Sequence, residues 1–366
     1  MRIAIAGGGT GGHISPAIAV AESISGEDPA AVIDFLGTPR PVDARMYAGY
    51  GDAFHVLHPP RVDKGPVGAF LLPFRAVASF REARSLLGRL GSDALFATGG
   101  YPSFFPVLAA RTLGIPSIIH ESNSVPGRAN LMSARFATEI LTGFRTAGAA
   151  FHRPVCYIGN PVRPSLQRMD RAAAKARLGL PEEAGTVLFL GGSQGALALN
   201  GMVRLTPPGV SVILQCGAAD LENMRASCGA MPGVQIVGFM DDPSVLYSAA
   251  DLAVARAGAM TIAELSWYRL PSVLVPYPSA AGDHQRINAT EASSAGGAEV
   301  LSQDRMEGEL WPLVIRLLGD RKKLAAMSER LAEGMPGNPA AAIAAHVIGL
   351  ASAHSEKASR GRGTDA

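Results

Sequence analysis

The sequence is poor in cysteine, in charge and in aromatic rings. Three cysteines, Cys156, Cys216 and Cys228, stand in 366 residues. Their number is odd and their spacing is not that of metal ligands, so neither a disulfide framework nor a cysteine metal site is indicated. They read as small buried hydrophobes in a reducing, cytoplasmic compartment. Charged residues are 17% of the chain and sum to a formal +2, so no global field points to nucleic acid. No run of about twenty apolar residues free of Gly, Pro and charge occurs, so no transmembrane helix is expected. Any membrane role would be peripheral. The opening run Met1 to Ala6 is stopped by Gly7 to Gly9 and is too short for a signal peptide.

What is abundant is apolar residues, at 48%, and glycine, at 42 positions. That length and that apolar share suit two domains of average size with little disorder. Short apolar runs recur about a helix apart: Ile3 to Ala6, Val32 to Leu36, Ala94 to Ala97 and Ser117 to His120. The alternation predicts a parallel sheet covered on both faces. A second start of the same kind, Thr186 to Leu190, is continued by Val210 to Leu214, Val234 to Val237, Leu252 to Ala255 and Ser272 to Val275. The expected fold is α/β, with two doubly wound Rossmann-like domains facing across a cleft, the ligands lying at the carboxyl ends of the strands. Gly159 to Pro164 reads as the linker, giving domains 1–163 and 164–353. The polar tail over 354–366 is expected to be disordered.

Each half opens with a strand followed by glycine. Gly7 to Gly12, then His13, forms a first loop, with a helix expected from Pro16 to Ile24. Gly191 to Gly195 with Ser193 forms another, and Thr98-Gly99-Gly100-Tyr101-Pro102-Ser103 a third glycine turn. Glycine lets backbone amides approach a phosphate, and a helix start favours an anion. Three such turns in two domains suit two substrates that each carry diphosphate. A nicotinamide site fits poorly, because it wants an acidic residue at the end of the second strand, whereas Asp34 lies inside that run. Glu264 falls in the first turns of a helix starting near Ala259, where a carboxylate either complements the helix dipole or accepts the hydroxyls of a ribose. The loop Gly282 to Asn288 offers polar side chains that can read sugar hydroxyls. No Asp-x-Asp triplet occurs; Asp241-Asp242, before Pro243, is the nearest approach. Sugar transferases that depend on a metal usually hold it with such a pair. Its absence leaves helix N-termini and Arg to meet leaving-group charge.

The motifs Gly8 to His13, Thr98 to Ser103, His120-Glu121-Ser122-Asn123, Pro126-Gly127 with Asn130, Gly159 to Arg163, Gly191 to Ala196, Arg256 to Glu264 and Asp283 to Asn288 occur in this order from residue 1 to about 350. Together they resemble the MurG family of inverting, metal-independent B-type glycosyltransferases. That resemblance implies transfer of GlcNAc from UDP-GlcNAc to the C4 hydroxyl of the MurNAc of lipid I, giving lipid II for peptidoglycan synthesis. It places UDP-GlcNAc on the C-terminal half, at Ser193, Met240, Ala259, Met260, Thr261, Ile262, Ala263, Glu264 and Gln285. Thr10, Gly11, Gly12, Asn123 and Arg163 would complete the donor site from the other half. Gly9, Tyr101 and His120 would meet the acceptor. His13 or Glu121 would be the general base, His13 being favoured for its near-neutral imidazole. No metal or other cofactor is implied.

The same resemblance implies a peripheral enzyme on the cytoplasmic face of the inner membrane, with other cell-wall synthesis proteins as partners, and a last helix packing back on the N-terminal domain. Pro66 to Arg89 interleaves Val67, Phe70, Leu71, Leu72, Phe74, Val77 and Phe80 with Arg75, Arg81, Arg84 and Arg89. Such a segment is either an ordinary helix on the sheet or a basic, apolar patch that touches anionic lipid. Ser122, Asp43, the stretch after Asn200 with Pro207-Pro208, and His284 depart from the family pattern. Three other activities share parts of the pattern: transfer to another lipid such as diacylglycerol, sugar-nucleotide epimerisation, and non-catalytic UDP-sugar binding.

Overall fold

The computed structural model describes residues 1–60, 65–191, 196–240, 242–335 and 337–362. The chain divides into two compact units, Met1–Pro164 with Pro339–Ala366, and Ser165–Asn338.

The first unit begins β1 (Arg2–Ala6), α1 (Gly11–Glu27), β2 (Val32–Gly37), α2 (Pro41–Met46), β3 (Phe54–Val56) and α3 (Pro66–Leu90). It continues β4 (Ala94–Ala97), α4 (Phe104–Leu113), β5 (Ser117–Glu121), α5 (Arg128–Ser133), β6 (Glu139–Thr142) and β7 (Cys156–Tyr157). All seven strands are parallel, in the order β3-β2-β1-β4-β5-β6-β7. Both faces are covered, which is why β1 and β4 are near-continuous apolar runs and β5 is buried throughout. One face packs Ile3, Ile5 and Phe96 against Ile14, Ile18 and Ile24 of α1. The other packs Ala4, Leu95 and Ile119 against Leu87 of α3 and Val107 of α4.

The second unit runs α6 (Arg171–Arg177), β8 (Gly185–Leu190), α7 (Leu197–Met202), β9 (Val210–Gln215), α8 (Ala218–Cys228), β10 (Val234–Val237) and α9 (Ser244–Ala249). It continues β11 (Leu252–Ala255), α10 (Ala259–Trp267), β12 (Ser272–Leu274), α11 (His284–Ser294), β13 (Ala298–Val300), α12 (Met306–Gly319) and α13 (Arg321–Gly334). Its six parallel strands are ordered β10-β9-β8-β11-β12-β13. In each sheet the winding reverses beside the first strand, between β1 and β4 and between β8 and β11. The carboxyl ends there are the ligand-binding crevices of doubly wound sheets.

Four expectations need correction. The first helix starts at Gly11, with Pro16 inside it. Thr10 is extended, and its carbonyl takes the amides of both His13 and Ile14 at 3.1 Å, so Gly11 and Gly12 already form the first turn. The second unit ends at Asn338 rather than at residue 353. The helix that follows, α14 (Pro339–Arg362), continues through most of the tail expected to be disordered. Its Ile343, Ala344, Val347 and Ala351 pack in the core beneath α1, and Ser355 Oγ donates to Asp93 at 2.8 Å. Cys156 is exposed on β7, while Cys216 and Cys228 are buried as expected of small hydrophobes.

Candidate active site

In the first unit the loops after β1, β4 and β5 meet at the reversal point. The loop after β1 is fixed by side chains from elsewhere in the unit. Asp43, fully buried at the start of α2, accepts the Gly9 amide at 2.9 and 3.1 Å and the Thr38 amide at 2.7 Å. Tyr47 Oη donates to the Gly7 carbonyl at 2.7 Å, and Arg40 Nη1 donates to the Gly9 carbonyl at 3.0 Å. Glycine is required at the second position: a Cβ on Gly8 would fall 2.4 Å from Asp43 Oδ1.

The loop after β4 aims His13. Thr98 Oγ1 donates to the His13 carbonyl at 2.6 Å, and the His13 ring places Nδ1 3.0 Å from the Thr98 carbonyl. A carbonyl can only accept, so Nδ1 carries the proton and Nε2 presents its lone pair. Burial pulls the His13 pKa below the ordinary imidazole value, against the opposing effects of the Thr98 carbonyl and Glu121. The ring is therefore neutral near pH 7. Gly100, at φ +77°, passes beside it; a Cβ there would lie 3.0 Å from Nε2 and would obstruct the basic nitrogen.

Glu121 closes β5. Its carboxylate accepts the Asn123 amide at 2.8 Å, the Gly127 amide at 3.0 Å and Asn130 Nδ2 at 2.8 Å. Both oxygens are thus used in folding the loop after β5. Of the two candidate bases, Glu121 organises that loop, while His13 carries its unprotonated Nε2 beside Gly100. The acceptor residues separate in the same way. Tyr101 is exposed, and it caps Gly9 with its ring 3.3 Å from where a Cβ would stand. Gly9 itself is buried, with its amide on Asp43 and its carbonyl on Arg40, so it has no free polar group for an acceptor. His120 is 0% exposed; its Nε2 meets the Gly159 carbonyl at 3.0 Å, and burial pushes its pKa down to about 4. It ties β5 to the segment after β7 and cannot touch a ligand from there. Thr10 and Gly12 are exposed and Gly11 is half-exposed, at an open helix start. Asn123 and Arg163 also belong to this unit, both half-exposed. Asp34 is bound by Arg2 at 2.6 Å and His55 at 2.9 Å inside β2, which removes the last support for a dinucleotide ribose site.

In the second unit, α10 starts at the end of β11. Gly258 is its extended N-cap, and Ile262 N donates back to the Gly258 carbonyl at 3.0 Å. The amides of Ala259, Met260 and Thr261 precede that first bond and point out of the helix start, where an anion is favoured. Ile262 has already committed its amide and Ala263 is buried, so these two expected contacts reduce to the half-exposed Ile262 side chain. Glu264 lies a turn and a half into α10, half-exposed. Beside it the turn after β12 is held by Arg256, which donates to the carbonyls of Val275 at 3.1 Å and Pro276 at 3.3 Å. Gln285 Oε1 accepts the Tyr277 amide at 2.9 Å, leaving its NH2 as the group that can donate. Asn288 of α11, fully buried, donates to the Ala257 carbonyl at 3.1 Å and so braces the entrance to α10. Met240 is half-exposed after β10. Ser193 lies outside the described residues.

The chain matches the glycosyltransferase family 28 N-terminal domain over residues 3–142 and the family 28 C-terminal domain over residues 186–343. This chain belongs to glycosyltransferase family 28. Within the family it is 37% identical over 355 residues to the UDP-N-acetylglucosamine–N-acetylmuramyl-(pentapeptide) pyrophosphoryl-undecaprenol N-acetylglucosamine transferase of Solidesulfovibrio magneticus, covering 92% of this chain and 94% of the relative. It is 39% identical to the enzyme of the same name from Halorhodospira halophila, covering 89% and 92%. The crystal structure of Acinetobacter baumannii MurG matches with a TM-score of 0.74 at 27% identity, over 95% of this chain and 99% of that one. A UDP-N-acetylglucosamine 2-epimerase of Listeria monocytogenes shares the fold alone, at 11% identity and a TM-score of 0.64.

The described family motifs lie in two groups, one in each unit. Sequence reasoning noted Asp43 only as a departure from the pattern and missed its hold on Gly9. It also passed over Thr98 as a partner of His13, Arg256 as a brace, and Tyr247, whose hydroxyl meets Glu264. These bonds join residues far apart in the chain, and no local spacing announces them.

Proposed function

We propose that this family 28 chain transfers N-acetylglucosamine from UDP-N-acetylglucosamine to the C4 hydroxyl of the muramoyl sugar of lipid I, with inversion and without a metal. The reading is carried by its likeness, over nearly the full length of both chains, to transferases that bear this activity in their names. Diacylglycerol transfer and epimerisation lack that support.

Chemically, the His13 Nε2 lone pair takes the acceptor proton as the hydroxyl attacks the anomeric carbon. The bond from that carbon to the diphosphate breaks, and UDP leaves. The first-turn amides of α10 at Ala259, Met260 and Thr261 stabilise the charge that develops on the diphosphate, aided by the helix dipole. Glu264 accepts the ribose hydroxyls, Met240 lies by the uracil, and Gln285 reads the GlcNAc hydroxyls. Tyr101 meets the acceptor. The test is transfer of radiolabelled GlcNAc to a lipid I analogue. Labelled product in the presence of EDTA is expected. Dependence on a divalent ion, or transfer to diacylglycerol instead, would remove the reading.

We also place the enzyme peripherally at the cytoplasmic face of the inner membrane. Among the described residues no helix is long and apolar enough to cross a membrane. On α3, Val67, Phe70 and Phe74 are 65–71% exposed and share a face with Val77, at spacings of three and four residues. Phe80 packs inward instead. An exposed apolar row with Arg75 and Arg81 beside it suits insertion into an anionic surface. Phe70→Asp and Arg75→Glu should each weaken flotation with anionic liposomes; unchanged flotation removes this placement.

A further inference from the structure

We propose that Tyr247 is a positioning residue for the donor: it holds the Glu264 carboxylate in the orientation that grips the ribose of the sugar nucleotide. The inference rests on the reading of Glu264 given above.

The two residues lie on different helices, α9 and α10. Tyr247 Oη donates to Glu264 Oε2 at 2.5 Å, the short contact of a charge-assisted bond. The phenol cannot swing. It is buried, and its ring stacks on Tyr268 with centroids 4.7 Å apart and planes 10° from parallel. Tyr268 is itself held, with its hydroxyl 2.8 Å from Ser244 Oγ and 3.3 Å from the Gln167 carbonyl. Burial, then Glu264, keeps the Tyr247 phenol protonated far above neutral pH, so it stays a donor.

Glutamate has three side-chain torsions, and a half-exposed one wanders among rotamers unless something fixes it. Two adjacent hydroxyls are gripped well only by a carboxylate whose plane is already set. A fixed donor on one oxygen, as Tyr247 Oη is on Oε2, holds that plane. The benefit falls equally on bound donor and transition state, because the ribose is remote from the bond that breaks. It should therefore appear in donor KM and not in kcat.

The experiment compares the wild type, Tyr247→Phe and Glu264→Ala in steady-state transfer. The donors are UDP-GlcNAc and its 2′-deoxyuridine analogue. Phenylalanine keeps the stack on Tyr268, and the melting temperature confirms folding. For Tyr247→Phe we expect donor KM to rise about 10-fold, the scale of one hydrogen bond to a charged group. kcat and acceptor KM should change less than about 2-fold, and the penalty should shrink to about 2-fold or less with the deoxy donor. A merely structural tyrosine would shift all three constants or none, and by the same factor with either donor; that result overturns the proposal. If Glu264→Ala raises donor KM while Tyr247→Phe does not, the proposal fails and the ribose reading stands. If Glu264→Ala leaves donor KM unchanged, both fail.

Discussion

The two reversal points start from the same motif, a strand running into glycine and then a helix, and use it in opposite ways. In the first unit the glycine loop is bolted to the protein: Asp43 takes the Gly9 amide, Arg40 the Gly9 carbonyl and Tyr47 the Gly7 carbonyl. In the second unit the start of α10 keeps three amides open after Gly258. The difference teaches that glycine after a strand marks a close approach of backbone and does not by itself name the partner. In one unit the partner is the protein's own aspartate, which makes a rigid mount for His13. In the other it is left for a ligand.

The sharpest way to break this comparison is to remove the base from the rigid mount. His13→Ala should lower kcat about 10²–10⁴-fold at saturating substrates. A kcat near normal would return the proton transfer to Glu121 or to solvent. Next is the mount itself. Asp43→Ala leaves two buried amides unpaired and a void beside Gly8, and should cost about 2–4 kcal/mol in urea unfolding. A loss under about 0.5 kcal/mol would mean that the loop holds itself.

A smaller effect distinguishes the buried histidine from the reacting one. The folded pKa of His120, about 4, lies below the ordinary value of 6.5, so the unfolded chain binds the proton first. The stability that follows is intact above pH 6.5 and is lost as pH falls towards 4. Between pH 7 and pH 5 the wild type should lose about 2 kcal/mol from this source, and His120→Gln should lose correspondingly less over that range. Equal slopes for the two proteins would contradict the burial argument. His13 shows the same direction in activity: the acid limb of kcat/KM against pH, which reports the free enzyme, should lie below the ordinary imidazole pKa. A limb above it would exclude the neutral-ring account.

Much of this comparison was legible in the sequence, but unevenly. The strands were, because a strand covered on both faces is a short apolar run, as in Ile3 to Ala6 and Leu252 to Ala255. The glycine turns were also visible, since each follows such a run, and His13 and Glu264 stood out in the segments after them. The fate of each polar group was not. Gly9 looked like a ligand contact and proved to be spoken for by Asp43, 34 residues away. His120 could be read as an acceptor contact or as structural, and it is sealed against Gly159. Tyr247 stands among apolar residues of a short helix, with nothing in its own neighbourhood to mark it. The last helix packs in the first unit through Ile343, Ala344 and Val347; its periodic pattern could not assign it to one core over another, and only the resemblance pointed there.

The most direct test of the division between the units is the affinity for UDP-N-acetylglucosamine, measured by calorimetry without acceptor, for His13→Ala and Glu264→Ala. If donor recognition lives in the second unit and proton transfer in the first, Glu264→Ala should weaken binding about 10-fold or more. His13→Ala should bind within about 3-fold of the wild type. Normal binding by Glu264→Ala together with lost binding by His13→Ala would contradict the account.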